Sequence, residues 1–310
     1  MITVEIGVKD PMAQQLTTGL TASDPSVVGI GAPEVANYRL NVRNILKLRD
    51  RTPRAFGAIR FDSNNNCNLR CVYCHNARSD ELVDPEDLRA FLCTCVASVE
   101  EFQIGCVMEP TLDLRLCDFM DIIATSLVTP RHSFRLQTNG ILLHRHDALQ
   151  MRAAGLTHLS VSVDSPHAST HKDLRGGTSL AKVERNLRAF HQACPEILMI
   201  FLTTVTNTNI GSLRDLITWG LDVGAQKFVF RQIFYYPTSS HVDHSRMQSL
   251  LVSEEEFAEF RNRITGEFAR RASVHFFENS ILVGHADRVT VASETLVEPA
   301  RTIVGVRQRD

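Results

Sequence analysis

The stretch of sequence that decides the fold is Asn66-Cys67-Asn68-Leu69-Arg70-Cys71-Val72-Tyr73-Cys74-His75-Asn76. It holds three of the eight cysteines in the chain, at the spacing C-x3-C-x2-C. It directly follows residues 57–62, whose pattern predicts a β-strand. Three close thiolates on one loop can hold three irons of a cubane cluster and leave the fourth iron without a protein ligand. The spacing therefore predicts a cluster site at the carboxyl end of a strand.

Strand-like and helix-like segments alternate after this loop. Six segments read as β-strands, at 57–62, 102–108, 133–138, 159–164, 197–206 and 227–234, and residues 274–277 read as a possible last strand. Helical patterns of about 10–15 residues separate them, which is typical of βαβ units and a parallel sheet. Six units are too few for a closed eight-stranded barrel. We therefore expect an α/β fold, either an open partial barrel or a doubly wound sheet, with functional residues at the carboxyl ends of the strands.

Capping residues mark the expected helix starts. Asp84 predicts an N-cap, and the apolar stripe of the helix after it runs as far as Val99. Ser212 and Ser253 are each followed three residues later by an acidic residue, which predicts a capping box. Residues 1–54 are expected to be irregular, apart from a helix-like stretch at 33–51.

The cysteine loop has an aromatic residue, Tyr73, directly before its third cysteine, and in this it resembles the cluster-binding loop of the radical S-adenosylmethionine (radical SAM) enzymes. The resemblance implies a partial (β/α)6 barrel of parallel strands at 55–280, with an N-terminal extension at 1–54 and a C-terminal tail at 281–310. It implies one [4Fe-4S] cluster on Cys67, Cys71 and Cys74. The open iron would bind SAM, and an electron from the cluster would cleave SAM to a 5′-deoxyadenosyl radical that removes a hydrogen atom from the substrate.

The resemblance also implies SAM-binding residues at the ends of the strands. Glu109 lies where the family has Gly-Gly-Glu-Pro and is expected near the amino group of SAM, although Val107 and Met108 replace the glycines here. Ser162, in a Ser-x-Asp pattern, is expected to contact SAM. The complete set of expected SAM-binding residues is Tyr73, Glu109, Thr138, Asn139, Ser162, Asp164, Arg175 and Asn209.

Two of these residues have a more specific expected role. Tyr73 is expected to pack against the adenine, and Arg175 is expected to pair with the carboxylate of SAM, which suits a guanidinium. Residues 159–164 also alternate with period two, so that Ser160, Ser162 and Asp164 share one face. Because a parallel strand is usually apolar on both faces, this polar row predicts a face that lines a wet cavity.

Simpler explanations remain open for several residues. Pro110 alone explains a turn after Glu109, and Asn139 begins an ordinary Asn-Gly turn signal. An Asp such as Asp164 at a strand end often only caps a turn. A zinc site is the alternative for the cysteines, with His75 as a fourth ligand, although no second C-x2-C pair exists. The protein would then be a zinc-stabilised binding protein without catalysis.

Three residues are candidates for contact with the substrate. Arg231 lies inside an expected strand, where a charge is costly unless it binds an anionic group of substrate or SAM or pairs with an internal acid such as Asp164 or Glu109. Tyr235 follows on a loop expected over the site. Cys106 is a candidate hydrogen-atom donor, although burial is the usual state of a cysteine. No cysteine follows Cys194, so we expect one cluster as the full complement.

Composition narrows the function classes. The 33 basic and 35 acidic residues give a net charge of −2, and 44% of residues are hydrophobic. The hydrophobic fraction excludes a disordered chain. The near-neutral net charge gives no sign of a surface that binds nucleic acid or an anionic membrane. With no signal peptide or transmembrane span recognised, we expect a cytoplasmic protein. We expect a radical SAM enzyme acting on a small molecule such as a sugar, nucleoside or natural-product precursor, with a flavodoxin- or ferredoxin-type electron donor. The alternative substrate is a peptide that the enzyme modifies.

Overall fold

A computed structural model describes residues 3–8, 28–32, 35–41, 54–126, 130–235 and 240–277. Within these residues the strands form one mixed sheet with the order β10-β9-β8-β7-β6-β5-β4-β1-β3-β2. The strands are β1 (Thr3–Val8), β2 (Val28–Ala32), β3 (Val35–Asn41), β4 (Arg54–Phe61), β5 (Val96–Ile104), β6 (Pro130–Thr138), β7 (His158–Ser162), β8 (Leu198–Val205), β9 (Lys227–Gln232) and β10 (Ser273–Phe277). Seven of them, β4 to β10, run parallel in chain order, which confirms the α/β fold with an open parallel sheet and includes the possible last strand.

The helices lie between the parallel strands. They are α1 (Pro85–Cys95), α2 (Leu116–Thr125), α3 (Ala148–Ala153), α4 (Ala168–Arg175), α5 (Leu180–Ala193), α6 (Leu213–Asp222), α7 (His244–Leu250) and α8 (Glu254–Phe268). Ser253 and Glu256 form the expected capping box at α8. The capping box expected at Ser212 is wrong, because Ser212 precedes α6 without a capping hydrogen bond from its side chain. Helices α4 and α7 were not expected from the sequence.

The core lies between the sheet and the helices. Aromatic side chains on one face of the strands contact aromatic side chains of the helices. The ring centres of Phe61 and Phe119 are 5.4 Å apart, and those of Phe230 and Phe260 are 5.1 Å apart. Because side chains alternate along a strand, the residues between these aromatic positions point to the opposite face. We call this opposite face of β4 to β10 the inner face. Its described members include Arg60, Arg135, His158, Lys227 and Arg231.

Two expected boundaries near β5 are wrong. The first helix ends at Cys95, and Val96 pairs with Arg54 of β4, so Val99 belongs to the strand and not to the helical stripe. Strand β5 ends at Ile104 and not at residue 108, because Gly105 turns the chain with a φ of 81°. Chain segments that pair with an existing strand gain backbone hydrogen bonds, and this overrides local helical patterning.

The N-terminal extension differs from its expected irregular form. Strand β3 occupies residues 35–41 of the stretch expected to be helix-like at 33–51, and it pairs antiparallel with both β1 and β2; residues 42–51 lie outside the described residues. Strand β1 pairs antiparallel with β4 and so continues the sheet beyond the parallel strands. Residues 36–41 alternate Ala36, Tyr38 and Leu40 with polar residues, and this period of two suits a strand. Residues 281–310, the expected C-terminal tail, lie outside the described residues.

No helix within the described ranges is long and apolar enough to cross a membrane.

Candidate active site

Expected site residues meet at the carboxyl edge of the parallel strands. The cysteine loop follows β4, Glu109 follows β5, and Thr138 ends β6. Asp164 follows β7, and Asn209 lies in the turn after β8. Hydrogen bonds connect the cysteine loop to three of these strand ends: the Glu109 amide donates to the Asn66 carbonyl at 3.0 Å, Asn139 Nδ2, next to Thr138, donates to Asn68 Oδ1 at 2.8 Å, and the Tyr73 hydroxyl donates to Asp164. The structure therefore brings together residues that are about 140 positions apart in sequence.

The three loop cysteines are free thiols that are neither fully buried nor fully exposed. Burial raises the pKa of Cys67, and it raises the pKa of Cys71 to about 11. Each of these thiols also interacts electrostatically with Cys74, which places the three sulfurs in one neighbourhood. A cavity of about 830 Å³ lies beside them and is lined by Cys71 and Cys74. Metal binding at this loop must displace thiol protons, because the thiolate is the ligand.

The donor set fits an iron–sulfur cluster better than a single metal ion. Across the described ranges, no group of three or more His, Cys, Asp or Glu side chains converges on a point where one ion could be held. A zinc ion needs such convergence, usually by four ligands. A cubane cluster distributes its thiolate ligands over different irons, so the three sulfurs need only surround a common volume. Cys67, Cys71 and Cys74 supply three thiols of the right chemistry on one loop.

Glu109 is buried in the segment that follows β5, and its carboxylate accepts four hydrogen bonds. Its Oε1 accepts from the Thr111 amide at 3.1 Å, the Thr111 hydroxyl at 2.5 Å and the Thr138 hydroxyl at 2.6 Å. Its Oε2 accepts from the Asn139 amide at 2.7 Å. Burial raises the pKa of Glu109, and the four hydrogen bonds oppose that effect. Glu109 therefore joins the ends of β5 and β6, and Oε2 retains capacity for a further donor.

Asp62 is a site residue that the sequence reasoning missed. Its carboxylate is 4% exposed and accepts backbone N–H bonds from Cys106 at 2.8 Å, Val107 at 3.2 Å and Met108 at 3.2 Å. Val107 and Met108 stand where the family has glycines, and Cys106 directly precedes them. The carboxylate thus fixes the altered segment by its backbone, whatever the side chains are. An acidic residue at the carboxyl end of a buried strand was the available signal.

Asp164 forms the centre of a buried ionic network. Arg175 donates from Nε to Oδ2 at 2.7 Å and from Nη2 to Oδ1 at 2.9 Å. Tyr73 donates its hydroxyl to Oδ2, and the Thr204 amide donates to Oδ1 at 3.0 Å. Burial opposes the charge of Arg175, yet the Asp164 carboxylate holds the pKa of the guanidinium above its ordinary value. The network fastens the cysteine loop, through Tyr73, to β7, β8 and α4.

Neighbouring positions support this network. Asn209 is buried and donates from Nδ2 to the backbone oxygens of Asp164 and Thr204, at 2.8 and 2.9 Å. In the polar row of β7, Ser160 and Asp164 are fully buried and Ser162 is half-buried, so the expectation of a wet face holds only in part. Burial and the nearby Arg175 lower the pKa of His171 to about 4, which keeps this imidazole neutral beside the network.

The three substrate-contact candidates lie in different surroundings. Arg231 is exposed on the inner face, with its guanidinium 5.8 Å from the centre of the Phe277 ring, whereas Asp164 is paired with Arg175. Tyr235 donates to or accepts from His244 at 3.0 Å and packs beside α7. Cys106 is half-buried next to Gln137, whose Nε2 lies 3.4 Å from the Cys106 carbonyl.

Comparison of the sequence with known protein families agrees with the arrangement of the cysteine loop and the strand ends. The family model described as the radical SAM superfamily matches residues 63–220, which is half of the chain. The chain belongs to the radical SAM superfamily. Radical SAM enzymes use a [4Fe-4S] cluster and S-adenosylmethionine, so both are the cofactors of this chain. The matched range begins directly before the cysteine loop and ends within α6.

Curated radical SAM relatives carry the name probable GTP 3′,8-cyclase. That of Methanocaldococcus jannaschii is 24% identical, over 81% of this chain and 87% of the relative. That of Methanosarcina acetivorans is 26% identical, over 79% of this chain and 78% of the relative.

Solved radical SAM structures share the fold at low sequence identity. Streptococcus suis SuiB bound to its precursor peptide SuiA has a TM-score of 0.56 and 13% identity, over 86% of this chain and 59% of that chain. Native anSMEcpe with bound AdoMet and a peptide has a TM-score of 0.53 and 17% identity, over 72% of this chain and 63% of that chain. This chain therefore spans about three fifths of the length of these two proteins.

Gly176 gives a local test of how the cysteine loop is held. It ends α4 with a φ of 66°, and a Cβ built there would lie 2.1 Å from the carbonyl oxygen of Arg70. Arg70 belongs to the cysteine loop, so Gly176→Ala must displace that loop. We expect this variant to bind clearly less iron after anaerobic reconstitution and to lose about 1–3 kcal/mol of stability.

The matched control is Gly177→Ala. Gly177 also has a positive φ, of 99°, but a Cβ there would meet nothing within 4 Å. It should lose some stability and keep its iron. Equal iron content in the two alanine variants would show that the contact with Arg70 does not hold the loop.

Proposed function

We propose that this radical SAM enzyme holds one [4Fe-4S] cluster on Cys67, Cys71 and Cys74 and reductively cleaves SAM. The bound cluster and SAM supply a 5′-deoxyadenosyl radical, and the enzyme directs this radical to a hydrogen atom of a small-molecule substrate. The observation that carries the proposal is the loop with three free thiols, fastened by Tyr73 to Asp164 at the carboxyl edge of the sheet.

Two polar groups are proposed to orient SAM. Arg175 uses Nε and one Nη2 hydrogen for Asp164, so Nη1 can donate to the carboxylate of SAM. Glu109 Oε2, which accepts one bond from Asn139, can accept another from the amino group of SAM. Asp62 holds the backbone of residues 106–108, directly before Glu109, and is proposed in this way to keep Glu109 in one position towards SAM.

Three other residues of the expected set, Tyr73, Ser162 and Asn209, are proposed to enclose the nucleoside end. Ser162 is half-buried at the end of β7, and Asn209 is held by the backbone of Asp164. Tyr73 uses its hydroxyl for Asp164, so its ring rather than its hydroxyl is left for the adenine. Burial raises the pKa of Tyr73, so the phenol keeps its proton in this arrangement.

A small molecule is the proposed substrate, and a peptide is the alternative. The curated relatives that match four fifths of this chain are named for a reaction of GTP, which is a small molecule. The peptide-bound neighbours share the fold at 13% and 17% identity, and this supports a common barrel rather than a common substrate. Among the described residues, those after β9 contribute two helices and one strand and no further domain.

The electron is proposed to come from a flavodoxin- or ferredoxin-type protein. The cavity beside Cys71 and Cys74 is lined by both positively and negatively charged residues, namely Arg70, Arg78, Arg246, Asp80 and Asp243. A donor protein that docks over this cavity would approach the cluster from outside the sheet. This leaves the inner face free for SAM and substrate.

Stimulation of SAM cleavage tests the substrate class. Reconstituted enzyme with SAM and dithionite would be given the low-molecular-mass filtrate of a cell extract, before and after digestion of the filtrate by a broad peptidase. We expect the filtrate to increase 5′-deoxyadenosine formation, and the increase to survive digestion. An increase that digestion removes would favour the peptide alternative. A protein fraction that alone gives the increase would also contradict the small-molecule proposal.

A further inference from the structure

Side chains hold the cysteine loop to the segment after β5 once the pairing of the two strands has ended. The paired residues of β4 end at Phe61, whose carbonyl accepts from the Gly105 amide at 2.8 Å. The Asp62 carboxylate then accepts the backbone amides of residues 106–108. Asn64, two residues further along, makes the next contact between the two segments.

The side chain of Asn64 closes a ring of three hydrogen bonds with Glu109. Asn64 Nδ2 donates to the Glu109 carbonyl at 3.0 Å, and Asn64 Oδ1 accepts from the Asn66 amide at 2.8 Å. The Asn66 carbonyl in turn accepts from the Glu109 amide at 3.0 Å. Both backbone groups of Glu109 are therefore bonded to the residues directly before Cys67.

An amide side chain suits this position because it donates and accepts at the same time. Asn64 is 3% exposed, so both of its polar atoms need partners within the protein. A serine hydroxyl here could still accept from the backbone amide two residues on, as in an ST turn. It ends one bond earlier than the amide of Asn64, and so falls short of the Glu109 carbonyl.

The backbone around Asn64 is held independently of its side chain. Two backbone hydrogen bonds, of 3.0 and 2.8 Å, join residues 63–65 to residues 81–83. Asn64 itself forms an antiparallel β-bridge with Leu82. Loss of the Asn64 amide should therefore leave the path of this segment in place and release mainly its contact with Glu109.

The carboxylate of Glu109 is held from the other side, by the end of β6. It accepts from the Thr138 hydroxyl at 2.6 Å and from the Asn139 amide at 2.7 Å. The side chain of Glu109 is thus bonded to β6, and its backbone is bonded to the start of the cysteine loop. Asn64 therefore helps to set the position of this carboxylate relative to Cys67.

We propose that Asn64 is a positioning residue for SAM that acts through Glu109. The inference rests on the proposed function, in which Glu109 accepts from the amino group of SAM, and it deepens that function. Without the bond from Asn64, Glu109 keeps its bonds to β6 but is held less firmly against the cysteine loop. SAM then binds more weakly, because its sites on Glu109 and at the cysteine loop are no longer fixed relative to each other.

Equilibrium binding of SAM tests this inference without turnover. Reconstituted wild type and Asn64→Ser would be titrated calorimetrically with SAM in the absence of a reductant. We expect Asn64→Ser to weaken SAM binding by roughly 10-fold, as when a hydrogen bond that orients a ligating group is lost. Its iron content should equal that of the wild type. Wild-type affinity for SAM in this variant would overturn the inference.

A melting curve of the cluster-free protein shows whether Asn64→Ser is folded. Asn64→Thr takes its place if it is not, because threonine keeps the hydroxyl acceptor and its branched side chain suits the β-bridge with Leu82. The same weakening of SAM binding is expected for both variants.

A double-mutant cycle with Glu109→Gln separates positioning from a general loss of structure. If Asn64 acts through Glu109, Asn64→Ser should weaken SAM binding by no more than about 2-fold when Glu109→Gln is already present. Equal weakening by Asn64→Ser in both backgrounds would overturn the inference, because the effect would then not depend on Glu109.

Asn65→Ala is the matched control, because it removes the neighbouring amide of the same segment. Asn65 Nδ2 donates to Ser79 Oγ at 2.8 Å and not to the segment after β5. This variant should bind SAM as the wild type does, and weakening equal to that of Asn64→Ser would overturn the inference. Formation of 5′-deoxyadenosine by the wild type tests the proposed function separately, and a wild type that binds no SAM would overturn both.

Discussion

Cys67→Ala, Cys71→Ala and Cys74→Ala should each leave the protein without a functional [4Fe-4S] cluster. Each substitution removes the proposed protein ligand of one iron, and the motif holds no fourth thiol that could replace it. We expect the brown colour and the absorption of the cluster to be lost, and SAM cleavage to fall to the background rate. Iron and sulfide analysis after anaerobic reconstitution measures the effect.

Cys93→Ala is the control for the cysteine series. Cys93 is an exposed free thiol on α1 and lies outside the loop. This variant should keep its full iron content and its SAM cleavage. Full iron content in all three loop variants would refute the cluster assignment. Stoichiometric zinc in place of iron in the purified wild type would support the non-catalytic alternative instead.

Asp164→Ala should cause the second large loss, in the stability of the protein. The Asp164 side chain is 0% exposed and that of Arg175 is 10% exposed, and the pair is joined by two hydrogen bonds. Removing Asp164 leaves the guanidinium buried and without its counter-charge, which should cost about 3–5 kcal/mol. The loss is measured as the free energy of unfolding of the cluster-free protein in urea. Because Tyr73 also loses its partner, the variant should bind less iron.

Two further variants keep this prediction testable if Asp164→Ala does not fold. Tyr73→Phe removes one hydrogen bond to the carboxylate and should cost about 1.5–3 kcal/mol. Glu196→Ala breaks the ion pair between Glu196 and Arg152, in which both side chains are about half exposed. This change should cost about 0–1 kcal/mol. Equal losses for Tyr73→Phe and Glu196→Ala would show that the buried network does not stabilise the fold.

The sequence predicted the parts of the fold that depend on local pattern. The cysteine spacing, the alternation of strands and helices, and the capping box at Ser253 are all readable over a few residues. The strand β3 was missed because its stability comes from pairing with β1 and β2, which no local pattern reports. Helix α4 was missed because it is short and polar, although Gly176 marks its end.

The candidate site was predictable as a set of residues but not as a set of bonds. Glu109, Thr138 and Asn139 were each expected at the site, and the structure shows that they bind one another. Arg175 was expected to pair with the carboxylate of SAM, and the pair that it also forms with Asp164 was not expected. Such long-range contacts depend on which strand ends adjoin, and the sequence does not contain that order directly. The position of Asp62 at the end of a strand was visible in the sequence, but its bonds to the backbone of residues 106–108 were not.

The central claim is that this chain binds SAM at a cluster on its cysteine loop and cleaves it reductively. The most direct measurement is of 5′-deoxyadenosine by mass spectrometry, after anaerobic incubation of the reconstituted enzyme with SAM and dithionite. We predict that the wild type forms 5′-deoxyadenosine and that Cys71→Ala forms none. Equal amounts from both proteins, or none from a wild type with a full cluster in the presence of the stimulating filtrate, would contradict the claim.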